Sequence, residues 1–115
     1  MILKNGNKVK VGNKIYSVDM ADTFVKRFFG LMGKKSIPAD KTLFITPCNS
    51  IHTFFMRFSM IAVFVDENMI VKKVVKDMRP WDLTFAFSAK DVFEFINEGN
   101  EDLEISVDEK VIIVE

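Results

Sequence analysis

The sequence predicts a mostly β domain of the α+β class. It would be a small barrel or a strongly bent antiparallel sheet, with one main helix and short helical turns. Three observations carry that expectation. Short apolar segments recur along the chain, each closed by Gly, Pro, Asn or Asp, the spacing of an all-β sandwich or barrel. Only one stretch, Thr23 to Met32, carries apolar residues at helical spacing. Met60 to Val65 is apolar on both faces, as an interior strand must be.

The elements follow in order. Ile2 to Lys4 and Lys8 to Val11 read as a hairpin around Asn5-Gly6, a pair suited to a tight primed turn. Gly12-Asn13 is a second turn, and Lys14 to Met20 alternates with a period of two, so a strand is expected there. Asp22 reads as an N-cap for a helix over Thr23 to Met32, where Phe24, Phe28, Leu31 and Met32 share one face. Gly30 and Gly33 mark its end, and residues 34–40 form a polar loop. Thr42 to Thr46 is a short strand stopped by Pro47.

Met60 to Val65 and Met69 to Met78 make a hairpin around Asp66-Glu67-Asn68. Arg79 to Asp82 is a loop. Leu83 to Phe87 and Val92 to Ile96 are further apolar segments, Glu101 to Leu103 a helical turn, and Lys110 to Val114 a closing strand. That makes about seven strands in one domain over 1–115, with 1–19 an N-terminal meander and 20–115 the core.

Composition narrows the function. Apolar residues make up 49% of the 115, including twelve Phe and seven Met, enough for one core of large, adaptable side chains. Sixteen basic and sixteen acidic residues cancel, which argues against nucleic acid and against attraction to anionic lipid. No apolar run reaches the ~20 residues of a membrane span. One cysteine closes no internal disulfide, and the first residues lack the apolar core of a signal peptide, so a cytoplasmic protein is expected.

The residues with chemical reach cluster between Cys48 and Asp66, which holds the only cysteine and the only histidine. Cys48 and His52 invite a nucleophile–base reading, but an extended chain would hold them about 13 Å apart. With no second cysteine or carboxylate cluster, no metal and no cofactor are expected. A strand through Thr53 to Arg57 would point Thr53, Phe55 and Arg57 one way and His52, Phe54 and Met56 the other. An arginine among so much Phe and Met needs a partner. Either an internal acid such as Asp66 or Glu94 supplies it, or the guanidinium forks onto an anionic ligand. Arg27 on the helix flank and Trp81 in the rigid Arg79-Pro80-Trp81 loop are further binding candidates.

Three segments together resemble a known family: Arg27-Phe28-Phe29-Gly30-Leu31-Met32-Gly33, then Cys48 to Phe58, then Val63-Phe64-Val65-Asp66. A later one, Val92 to Gly99, is similar to a Leu-Glu-Leu-x-x-Gly pattern in the same family, prokaryotic domain-of-unknown-function family 192. The resemblance implies a compact, mostly β fold with short helices and no established activity, substrate or cofactor. It maps the family's motif onto Arg27, Gly30, Leu31, Met32, His52, Met56, Arg57 and Glu94. It also implies two departures: an Asp within the family's Ile-Asp-Val-Val-Phe strand stands here as Ala62, and a late Gly-Asp turn reads Asp108-Glu109.

The leading expectation is a non-enzymatic binding module for a small anionic ligand or a partner peptide. His52, Arg57, Thr53, Arg27, Trp81 and Glu94 would form its site. The alternatives are an enzyme using Cys48 or His52, or a purely structural or protein-interaction module.

Overall fold

The structure, a computed structural model, describes residues 3–22, 36–54 and 56–114. Nine strands are found among them: β1 (Lys8–Val11), β2 (Lys14–Ala21), β3 (Lys41–Ile45), β4 (Ser50–His52), β5 (Met60–Val65), β6 (Val71–Met78), β7 (Leu83–Phe85), β8 (Asp91–Ile96) and β9 (Ile112–Val114). The predicted helix over Thr23 to Met32 lies outside the described residues, and no helix occurs among those described.

Seven strands form one sheet in the order β6-β5-β8-β3-β2-β1-β9, and β4 and β7 form a separate two-stranded ribbon. All pairings are antiparallel except β2 with β3. The main sheet is curled into a half-barrel. Its two outer strands are drawn toward each other near residues 69–71: Val71 N–H donates to Glu109 O (2.8 Å) and Val111 N–H to Met69 O (2.9 Å).

The alternation along each strand divides the core in two. Ile61, Val63 and Val65 of β5 join Phe93 and Phe95 of β8, Phe44, Tyr16 and Val18 inside the curl. Met60, Ala62 and Phe64 face the other way and join Val92, Ile45, Met78, Ile51, Met56, Ala86 and Ala89. Every residue of β5 and of β8 is therefore buried, as the two-sided apolar pattern of Met60 to Val65 required. Inside the curl the Tyr16 hydroxyl donates to Asn100 Oδ1 (2.7 Å), while Asn100 Nδ2 donates to Ile96 O (2.9 Å). Burial holds the Tyr16 hydroxyl protonated well above its usual range.

Several expectations need correction. Residues 3 and 4 do not pair back on β1. Leu3 drops into the core, Lys4 N–H donates to Asn7 Oδ1 (2.9 Å), and Gly6 N–H donates to Val18 O (2.8 Å), so the segment continues along β2. The working hairpin turn is Gly12-Asn13, between β1 and β2. β6 begins at Val71, because Met69 has a left-handed φ of 62° that breaks the strand. Glu101 and Asp102 form a turn and no helix. β9 starts at Ile112, with Lys110 in an isolated bridge to Ile70. β4 ends at His52, short of the expected strand through Thr53 to Arg57, and the Thr53 backbone bonds instead to Trp81 and Asp82 of the 79–82 loop.

Candidate functional site

The ribbon lies over the second core cluster, and its construction decides what faces outward. The cross-strand pairs are Ser50 with Phe85, Ile51 with Thr84 and His52 with Leu83. Successive side chains alternate, so Ile51 and Thr84 share one face and Ser50, His52, Leu83 and Phe85 the other. Ile51 is buried in the core beneath, together with Ala86 and Ala89 just beyond β7. The opposite face is left to Leu83 (61% exposed) and Phe85 (49%), and it continues through Trp81 (62%) and Phe87 (85%).

The rings here touch in two groups. His52 stacks on Phe54 at 4.8 Å between centroids, and Phe54 stacks on Trp81 at 5.6 Å. At the other end Phe85 and Phe87 lie 4.8 Å apart, and the Lys73 ammonium sits 5.6 Å from the Phe85 centroid. Lys73 also donates to Phe85 O (2.8 Å), so a lysine covers the outer edge of β7.

Thr53 pins the loop that carries Trp81. Its hydroxyl donates to Arg79 O (2.6 Å) and accepts from Asp82 N–H (2.7 Å). Its backbone carbonyl accepts from Trp81 N–H (3.0 Å), and its N–H donates to Asp82 O (2.9 Å). Trp81 itself has φ of 66°, a left-handed conformation that costs a bulky residue about 1–2 kcal/mol. The Thr53 bonds hold that conformation and keep the indole at the surface.

The remaining predicted residues fall elsewhere. Arg57 is exposed, so the premise that its charge is buried among Phe and Met does not hold. It lines a shallow recess with Ser59, Asp77, Asn97, Glu98 and Glu101. Asp66, one partner considered for it, pairs with Lys72 at 3.5 Å. Glu94, the other, is buried on β8 between Leu43 of β3 and Ala62 of β5, and no group among the described residues hydrogen-bonds its carboxyl. Burial alone pushes that carboxyl up to about 8, so it is mostly protonated at neutral pH. Neither His52 nor Glu94 is among the described residues that line the Arg57 recess, and Arg27 lies outside the described residues.

Cys48 is half-buried, and its thiol donates to Ser50 O (2.9 Å). His52 Nδ1 accepts from Phe54 N–H (3.2 Å). Among the described residues no three His, Cys, Asp or Glu side chains are grouped to hold a metal.

Leu83, Phe85, Phe87 and Phe54 were absent from the sequence-derived site. The signal was present in Leu83-Thr84-Phe85-Ala86-Phe87, a clean alternation of large and small. Alternation shows that one face is large; it does not say which face meets the core.

The arrangement of strands is shared with other proteins. A family described as uncharacterised, domain-of-unknown-function family 192, matches residues 7–113. The chain belongs to this family. A relative from Pyrococcus horikoshii, named only as a UPF0127 protein, is 37% identical over 95 residues, covering 78% of this chain and 77% of its own. A crystal structure of a Novosphingobium aromaticivorans protein of unknown function has a TM-score of 0.78 at 18% identity, over 90% of this chain and 82% of that one. A Sinorhizobium meliloti protein reaches 0.82 at 12% identity, over 93% and 92%, so these two likenesses speak to fold alone.

Two positions that the family resemblance singled out can be placed. Asp108, where the family has glycine, has φ of 76°, the left-handed region that favours glycine. Ala62, the position to which the resemblance assigns the family's strand aspartate, is buried opposite Glu94 on β8.

Proposed function

We propose that the protein is a non-enzymatic binding module that docks a partner polypeptide on the outward face of the β4–β7 ribbon. One observation carries this reading: the ribbon's pattern is turned inside out. Small Ala86 is buried, while Leu83, Phe85 and Phe87 stand in solvent. A surface strand normally does the reverse, and a contiguous exposed apolar patch of this kind marks an interaction site. Rigid, stacked aromatic rings add contact area at low entropic cost.

The anionic-ligand reading has less support. Arg57 shares its recess with Asp77, Glu98 and Glu101, which repel an anion, while His52 belongs to the ribbon's ring stack. The enzymatic reading lacks a pairing of Cys48 with His52, since each is engaged with a neighbouring backbone group.

Trp81 is the chain's only tryptophan, so its emission reports on the patch alone. Peptides selected from a random library on the immobilised domain should shift that emission. They should also lose binding to a Leu83→Ser, Phe87→Ser variant. Peptides that bind the variant equally well refute the ribbon as docking surface. A melting series with phosphate, sulfate and citrate tests the other reading, because a ligand that binds only the native state raises the melting temperature. Stabilisation that vanishes in Arg57→Met would favour an anion site instead.

A further inference from the structure

We infer that the polypeptide docked on the ribbon is a second copy of this chain, joined by a two-fold axis through the aromatic face. The inference rests on the docking reading above and adds the identity of the partner.

Area is the first argument. At about 200 Å² per aromatic side chain, the exposed fractions of Phe54, Trp81, Phe85 and Phe87, with Leu83, leave on the order of 500 Å² of apolar surface. Two such patches face to face bury about 1,000 Å², which reaches the lower bound for a specific interface. A two-fold contact matches a patch against itself, so it needs no second surface of similar character.

Charge is the second. The chain has no net charge, so two copies do not repel each other. The patch is also polarised along β7. Asp82 adjoins Trp81 at one end, and Lys73 lies over Phe85 toward the other. Antiparallel placement about a two-fold axis sets Lys73 of each copy toward Asp82 of the other, so the rim is self-complementary as well as the centre. The third argument is the Lys73 bond to Phe85 O. It covers the outer edge of β7 and disfavours open-ended strand addition, leaving the side-chain face, whose two-fold contact closes on itself.

Sedimentation equilibrium on the intact chain, from about 5 to about 500 µM, tests this. The expected result is a shift from the 13.2 kDa monomer to a species of twice that mass, with Trp81 emission moving over the same concentration range. Leu83→Ser with Phe87→Ser should leave a monomer with an unchanged circular dichroism spectrum. Lys73→Glu alone should weaken association about tenfold, and adding Asp82→Lys should restore it. A chain that stays monomeric throughout overturns the inference. So does a dimer that survives the two serine substitutions, or a charge swap that restores nothing. A monomer that still captures ribbon-dependent peptides removes only the second copy as partner; a monomer that captures none removes the docking reading too.

Discussion

Replacing Glu94 with glutamine should stabilise the protein at neutral pH and leave it nearly unchanged in mild acid. Glu94 is buried, and no group among the described residues bonds its carboxyl; burial pushes it from 4.5 to about 8. Its folded-state value is raised, so its contribution to stability is fully present below about 4.5 and is lost as pH rises toward 8. Between those values the unfolded chain releases a proton that the folded chain keeps, at about 1.4 kcal/mol per pH unit. From the unfolded value to pH 7 that amounts to about 3 kcal/mol. Glutamine matches the neutral acid in shape and cannot ionise, so the variant loses this slope.

With a urea slope of about 1.5 kcal/mol/M, the Glu94→Gln midpoint should exceed the parent's by about 2 M at pH 7 and converge with it near pH 4.5. Asp91 is also raised, by burial first, with Thr46 and Lys90 working against the shift, but it is common to both proteins and cancels in the difference. A difference that does not vary with pH would refute the reasoning and show that Glu94 is solvated or paired.

The other substitutions probe single contacts. Ala62→Asp places a second carboxyl directly opposite Glu94 in an apolar layer, so it should cost roughly 2–7 kcal/mol in urea unfolding; a neutral result would mean that a base lies within reach. Thr53→Val removes the hydroxyl's bonds to Arg79 O and Asp82 N–H and should cost about 1–3 kcal/mol, with Trp81 emission broadening as its loop loosens. Arg57→Met, at an exposed position, should move stability by no more than about 0.5 kcal/mol in thermal melts. Asp108→Gly relieves a left-handed backbone and should raise stability by about 1 kcal/mol by the same measure.

Much of the sheet could be read from local pattern. The two-sided apolar run of Met60 to Val65 could only be an interior strand, and the Asp66-Glu67-Asn68 turn could only return the chain as β6. The expected pairing with β1 is not made by residues 3 and 4, the described part of that segment: Leu3 is buried in the core and Gly6 N–H bonds to Val18 O of β2. The site was legible only as a neighbourhood. His52, Thr53 and Trp81 do meet around one loop, yet Thr53 acts as its fastener, and Arg57 turned out to be exposed.

The sequence by itself determined the period of each segment, because residue spacing along an extended chain sets which side chains share a face. Thus Leu83, Phe85 and Phe87 had to stand together, as did Ile61, Val63 and Val65. Which face looks inward is a long-range matter, decided by what the rest of the chain has already filled. The layer beneath the ribbon is occupied by Met56, Met60, Phe64 and Met78, leaving room for Ile51 and two alanines. Close packing admits the small face there and turns the large one to solvent. Only the tertiary structure could place the aromatic residues outside, because the space that excludes them is built by strands distant in sequence.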